Sequence, residues 1–396
     1  MKQSERIVCN RCVLDNDAPN TNLVLDEFGI CNNCRSYERH AAKSVSMPLE
    51  EKQKELDKWV RWMKRDGKWS EYDCILGISG GVDSTYLAYL AKKLGLRPLV
   101  VHFDNGWNSE LAVRNIQNIV ENLGFELHTY VIDWEEFKDL QLSYLKASVV
   151  DIEATTDQFI YATLHEVAYK HRIKYVLDGN NLATEFGGVS WKWAYNKLDL
   201  VNLRNIHKRF GTIPLKKYPK LGFYQRFFYY EIYQLEQVYL LNYVDYNIQE
   251  VKSIISKELG WKDYGGKHYE SIFTRFYQGY ILPRKFGIDK RKAHLSNLIW
   301  SGQMTRNEAL EILKEPPYPE RLQMEDKEYV CKKFGITEEE FEKYMQLPIV
   351  PHEFYGTEND EKHLKRRNMF MKILNYPLKY FIVQKLLRYL IRKKII

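Results

Sequence analysis

Hydrophobic and polar positions change rhythm along this chain. Residues 13–29 (VLDNDAPNTNLVLDEFG) hold too few apolar side chains to support a core of their own. Residues 49–68 are highly charged, yet Leu56, Trp59, Val60 and Met63 recur at helical spacing, which predicts a linking helix that lays one apolar face on its neighbour. The pattern then becomes short β-rich runs at 73–78 (DCILGI), 98–103 (PLVVHF), 126–132 (ELHTYVI) and 174–177 (KYVL). Helix-like spacing separates them at 84–94, 109–123 and 157–171. Strands alternating with helices of this length predict an α/β fold with a doubly wound parallel sheet, whose ligands sit beyond the carboxyl ends of the strands. A mainly helical C-terminal region follows. The expected division is 1–45, 46–70 (the linking helix), 71–215 (the sheet domain), 216–345 (a helical substrate-binding region) and 346–396 (a basic tail).

Composition narrows the class. Apolar residues at 45% and charged residues at 28% are ordinary soluble usage and exclude a mainly disordered chain. No run of about eighteen apolar residues occurs, and the opening MKQSERIVCN lacks an apolar stretch, so a cytoplasmic protein is expected. The formal charge of +7 is concentrated at one end, because 362–396 carries eleven Lys and Arg and no Asp or Glu. Residues 380–391 (YFIVQKLLRYLI) mix apolar and basic positions at near-helical spacing. This tail suits an anionic membrane surface near the inner leaflet, RNA, an acidic partner, or a terminal helix packed on the protein with a solvated basic face.

Four of the six cysteines form two CxxC pairs, Cys9 with Cys12 and Cys31 with Cys34. Each pair places two thiolates on one tight turn, and together they offer a tetrahedral sulfur cage to a zinc ion that would supply folding free energy to this apolar-poor segment. An iron–sulfur cluster or a redox pair is the alternative. A zinc with four sulfur ligands has no open position, so a structural role is expected. Cys74 and Cys331 read as core residues.

The run Ser79, Gly80, Gly81, Val82, Asp83, Ser84 stands at the carboxyl end of the first strand and passes directly into a helix. Two glycines allow a turn with convergent backbone N–H groups, the helix start adds partial positive charge, and two serines offer hydroxyls, which together make a nest for phosphate oxygens. It is not a Walker A loop, since the spacing differs and no Lys precedes Ser84. Asp83 would repel phosphate unless it binds magnesium or holds the loop. Further on, the segments 262–270 (KDYGGKHYE) and 273–302 interleave Lys, Arg and His with aromatics, which suits an anionic, partly planar substrate. A solvated helix face would also account for Lys290, Arg291 and Lys292.

SGGVDS after an apolar strand resembles the pyrophosphate loop of the N-type ATP pyrophosphatases, which have a HUP-like fold and include asparagine, GMP and NAD synthetases and the tRNA lysidine and thiolation enzymes. The resemblance implies ATP cleavage between the α and β phosphates at Ser79, Gly80, Gly81, Val82, Asp83 and Ser84. It implies adenosine contacts at His102, Phe103, Asp104 and Asn105, further ATP contacts at Gly179 and Asn180, and a magnesium role for Asp83 and Glu185.

With the four cysteines, GGKHYES (265–271) and LPRKFGIDKRKAHLS (282–296), the chain resembles the bacterial N-acetyl sugar amidotransferases of surface-polysaccharide synthesis up to about Pro316. This implies conversion of an acetamido group on a nucleotide-linked sugar, a UDP-linked diacetamido uronic acid for instance, into an acetamidino group in lipopolysaccharide O-antigen synthesis. ATP, magnesium and structural zinc are the expected cofactors. Ammonia is expected from glutaminase and cyclase-like proteins in trans, and no nucleic acid is expected. Asp83, Lys267, His268, Lys290 and Arg291 are the candidate catalytic groups. The rival is a tRNA-modifying adenylating enzyme of the thiolation or lysidine type.

Overall fold

The computed structural model describes residues 7–17, 22–185, 193–374, 384–386 and 388–391. Its centre is a five-stranded, wholly parallel sheet: β1 (Cys74–Ile78), β2 (Pro98–Asp104), β3 (Leu127–Val131), β4 (Tyr175–Leu177) and β5 (Glu236–Val238), in the order β3-β2-β1-β4-β5. Cys74 pairs with Pro98 and Ile75 with Val176, so β1 is hydrogen-bonded on both sides. Both of its faces are covered, as a central parallel strand requires. Leu76 and Ile78 pack on one side with Leu87, Ala88 and Ile119, while Ile75 packs on the other with Leu164, Val167 and Ala168.

The chain moves outward from β1 to β3 and then returns past β1 to place β4 on its far side. The strand order therefore reverses between β1 and β4, and a crevice opens there at the carboxyl ends. The loops after β1 and β4 line it.

Helices α1 (Asn32–Ala41), α2 (Leu49–Asp66), α3 (Val82–Lys93), α4 (Glu110–Leu123), α5 (Trp134–Ala147) and α6 (Ala154–Lys170) precede β4. The linking helix forms as α2 and buries Leu56 and Met63. The four expected strands form within a residue of their sequence bounds. β5 and α5 were not expected. β5 has only three residues, and α5 buries Glu136, Asp139 and Gln141, polar groups that interrupt an apolar stripe.

Beyond β5 the described chain is largely helical, with Ile248–Leu259, an irregular rod from Ile272 to Phe286, Arg291–Trp300, Arg306–Lys314, Glu320–Phe334 and Glu361–Leu374. At the end of the last of these, Phe370 packs against Phe223, Tyr224 and Phe227. The rest of the basic tail lies mostly outside the described residues. No described helix is long and apolar enough to cross a membrane.

Candidate active site and metal centre

β1 ends at Ile78, and the chain turns through Ser79 and Gly80 into α3, with Gly81 at the N-cap. Gly80 has φ +80°, and a Cβ there would meet the Tyr264 hydroxyl at 2.9 Å and the Ala112 carbonyl oxygen at 3.0 Å, so no other residue fits without strain. Its carbonyl accepts from Trp261 Nε1 at 2.8 Å and from the Tyr264 hydroxyl at 2.9 Å. The remaining loop donors satisfy one another over long distances. Ser79 N–H donates to Ser84 Oγ at 3.4 Å, Gly81 N–H donates to Ser79 Oγ at 3.2 Å, and the two hydroxyls lie 3.2 Å apart. Such bonds are weak and exchangeable for phosphate oxygens at a helix start.

Asp83 follows in the first turn of α3. Its Oδ1 accepts from the Tyr246 hydroxyl, from Asn181 Nδ2 at 3.0 Å and from the Thr184 hydroxyl at 3.4 Å. Its Oδ2 faces Lys267 Nζ at 4.0 Å. Lys267 Nζ also lies 3.2 Å from Glu185 Oε1 and donates to the Thr184 carbonyl at 3.2 Å. His268 Nε2 stands 3.1 Å from the same Glu185 oxygen, and its Nδ1 is 3.8 Å from Glu270. The loop after β4 reaches α3 because Gly179 packs close, with room for no more than a tight Cβ 3.3 Å from Ser84 N.

Burial raises the Asp83 carboxyl, and Lys267 only partly offsets it. For Glu185, burial is overcome by Lys267 and His268, which hold its carboxyl well below the usual range. Burial opposes the charged forms of Lys267 and His268 too, but Glu185 with Asp83 raises Lys267, and Glu185 with Glu270 pushes His268 up to about 9. The centre is thus a charged network of ionised carboxylate, ammonium and imidazolium. Asp83, Glu185 and the Thr184 carbonyl offer hard oxygen donors converging from two elements, which fits magnesium carried in with ATP phosphates. Those residues would hold it, and it would neutralise charge on the leaving pyrophosphate.

The helix Arg291–Trp300 has two working faces. Lys290, His294 and Ser301 line one of them, where Ser301 Oγ donates to the Ala183 carbonyl at 2.9 Å. His294 stacks obliquely by His268, with ring centres 5.4 Å apart. Burial together with Lys197 lowers Lys290, and burial together with Lys267 and His268 holds His294 well below its ordinary value. Lys292, Ser296 and Trp300 line the other face. Arg291 leaves both, since its guanidinium pairs with Asp289 at 2.7 Å and caps the carbonyls of Ile312, Glu315 and Pro316. Of the expected catalytic groups, Asp83 and Lys267 meet, His268 joins them through Glu185, Lys290 lies nearby, and Arg291 instead braces the following helix.

The residues expected around adenosine lie at the end of β2. His102 Nδ1 is 3.1 Å from the Ile78 carbonyl oxygen and its Nε2 is 3.1 Å from Asn108 Nδ2. Asp104 and Asn105 accept from the N–H groups of Gly106 and Trp107 at 2.9 and 3.1 Å. Phe103 turns into the core against Phe159. A cleft of about 650 Å³ opens here, lined by His102, Asp104, Asn108, Ile116, Leu127 and Thr129. Ile116 also touches the Gly80 position, so the cleft borders the loop. Asn180 is exposed, and its N–H donates to Asp178 at 2.8 Å.

At the N-terminus Cys9, Cys12, Cys31 and Cys34 are buried, free of disulfides and clustered. Their sulfurs lie 3.6–3.7 Å apart where measured, close to the edge of about 3.8 Å that a tetrahedron with ~2.3 Å zinc–sulfur bonds requires. The four thiols fit zinc. The cluster docks on the second face of Arg291–Trp300: Trp300 Nε1 donates to Cys34 Sγ at 3.0 Å, Lys292 pairs with Asp15 at 2.5 Å, and Val13 N–H donates to Ser296 Oγ at 3.4 Å. The metal centre therefore braces the helix that carries His294. Tyr246, Trp261, Tyr264, Glu270 and His294 were not singled out in the sequence. Tyr264, Glu270 and His294 carried a local signal, from their places in KDYGGKHYE and KAHLS.

Residues 54–183 match the family described as NAD synthase, and residues 270–372 match "LPS biosynthesis protein WbpG-like, C-terminal domain". A stretch of 110 residues is 29% identical to tRNA(Ile)-lysidine synthase of Thermus thermophilus, covering 27% of this chain and 20% of that protein. Another of 71 residues is 35% identical to the Chlamydia pneumoniae enzyme of that name, covering 17% and 22%. The matched region thus spans about a fifth of the length of these curated relatives. NMN synthetase from Francisella tularensis aligns over 77% of this chain and 99% of its own, at 16% identity and a TM-score of 0.30. The family matches place the chain in the PP-loop ATP pyrophosphatase family. Joined to the WbpG-like C-terminal domain, that loop domain marks the N-acetyl sugar amidotransferase family within the class.

Proposed function

We propose that the protein converts an acetamido group of a nucleotide-linked sugar into an acetamidino group, with ATP cleaved to AMP and pyrophosphate. The observation that carries this reading is the meeting of Asp83 from the phosphate loop with Lys267, and of Glu185 with Lys267 and His268, the two cations coming from the turn that leads into the WbpG-like domain. An amide carbon is a poor electrophile with a poor leaving group, and adenylation remedies both. The amide oxygen attacks the α-phosphorus and pyrophosphate departs into the Ser79–Ser84 turn. Ammonia adds to the activated carbon, AMP leaves with the former amide oxygen, and a proton is released to nearby base as the amidine forms. Lys267 stabilises charge at the phosphorus. Glu185 and Glu270 favour the cationic product.

Ammonia is supplied by a glutaminase partner in trans. In support, the four clustered cysteines are committed to metal, while burial raises the thiols of Cys74 and Cys331 and leaves neither as an accessible thiolate. A UDP-linked diacetamido uronic acid in O-antigen synthesis is the acceptor class we favour. The basic tail would hold the protein near an anionic membrane. The tRNA-lysidine synthase likeness supports a second reading, adenylation of a tRNA base.

Incubation with ATP, magnesium, ammonium and either the sugar or bulk tRNA separates the two. The first reading expects a sugar product lighter by the difference between O and NH, with no turnover on tRNA. AMP release driven by tRNA alone would replace it with the second.

A further inference from the structure

We propose that Glu185, His268 and His294 form a second metal site, for one divalent cation of the zinc or cobalt class, distinct from the four-cysteine centre. One ligand atom from each of the three lies within 4.8 Å of the others. Glu185 Oε1 and His268 Nε2 are 3.1 Å apart, between the edges of about 3.0 Å and about 3.4 Å that separate neighbouring ligands on an octahedral or tetrahedral metal with ~2.1 Å bonds. The three come from separate elements: the loop after β4, the 265–271 turn and the helix Arg291–Trp300.

Two further features favour ligation. His268 is held at φ +63°, in the left-handed region that residues other than glycine rarely enter, with its ring 3.1 Å from Glu185. His294 sits on a helix fixed from both sides, by Ser301 on the Ala183 carbonyl and by Trp300 and Lys292 on the cysteine knuckle. The His294 ring nitrogens have no hydrogen-bond partner among the described residues, which leaves a lone pair for a metal.

Two imidazoles and one carboxylate select a borderline-soft ion over magnesium, and leave coordination positions open toward the crevice. Such an ion displaces the Nε2 proton of His268 to solvent and competes with Lys267 for Glu185 Oε1. Lys267 already approaches Asp83 and the Thr184 carbonyl, so it has other acceptors when displaced. This inference goes beyond the proposed reaction and does not depend on it.

The test uses the full-length protein, stripped with chelator and titrated with cobalt, then read by metal content and absorption. The wild type should bind two equivalents, only one of them giving the intense sulfur-to-cobalt band of a thiolate site. His294→Ala and His268→Asn should each lose the other equivalent and keep that band. Asparagine tolerates the left-handed backbone, and His294→Gln serves if the alanine variant melts early. Millimolar magnesium should not displace the second cobalt. One equivalent in the wild type, two in all the variants, or displacement by magnesium would each overturn the proposal.

Discussion

Lys267 Nζ stands between Glu185 Oε1 at 3.2 Å and Asp83 Oδ2 at 4.0 Å, so one ammonium joins the loop after β4 to the start of α3. Without it, two carboxylates face each other across the crevice that must receive a triphosphate. Lys267→Ala should lower AMP formation by about 100-fold or more, the scale of losing one charge-stabilising group. Its melting temperature and four-cysteine metal content should stay near wild type. Pyrophosphate assays at saturating ATP check this, and full activity would remove Lys267 from the chemistry.

Gly80 is the hinge of the phosphate loop. A methyl group there meets the Tyr264 hydroxyl and the Ala112 carbonyl at 2.9–3.0 Å, on a backbone already at φ +80°. Gly80→Ala should cost about 1–3 kcal/mol in a denaturant melt and weaken ATP binding beyond what that loss of stability explains.

Glu153 stands at the N-cap position of α6 without capping it: one carboxyl oxygen accepts from the Thr274 hydroxyl at 2.9 Å, and the other is buried without a partner. Burial, with Asp157 adding to it, pushes its carboxyl from 4.5 up to about 7. The folded state therefore holds a proton that the unfolded chain gives up near pH 4.5, and this favours folding at low pH and fades as pH rises through 7. Glu153→Gln keeps a neutral side chain, so it should be more stable than wild type by about 3 kcal/mol at pH 8, with the gap closing toward pH 5. Parallel melts across that range read the difference.

Trp300 donates to Cys34 Sγ at 3.0 Å, which makes the indole a reporter of the sulfur cage. Chelation should change tryptophan emission, and Trp300→Phe should abolish most of that change. Metal loss should also reduce activity, because the same helix carries His294. An unchanged rate after complete stripping of the cysteine site would contradict the bracing role.

What the sequence revealed follows how local each signal is. The phosphate loop is six adjacent residues after an apolar strand, and the cysteines announce themselves by spacing. Tyr246, Trp261 and Tyr264 reach the same loop from more than 160 positions away, and although Tyr264 lies in KDYGGKHYE, nothing local ties any of the three to that loop. α5 escaped because its buried face is polar. Asp139 accepts from the N–H groups of Thr212 and Ile213, Glu136 from those of Lys217 and Tyr218, and Gln141 from Trp107. Arg291 looked like its neighbour Lys290 in the sequence. One step along a helix turns a side chain by about 100°, and that step sends Arg291 to Asp289 rather than the crevice.

Most direct for the central claim is the fate of the acetamido oxygen. With a nucleotide sugar carrying heavy oxygen in that group, plus ATP, magnesium and ammonium, adenylation predicts one labelled oxygen in each AMP released and pyrophosphate in equal amount. Unlabelled AMP, or label recovered in orthophosphate beside ADP, would contradict it.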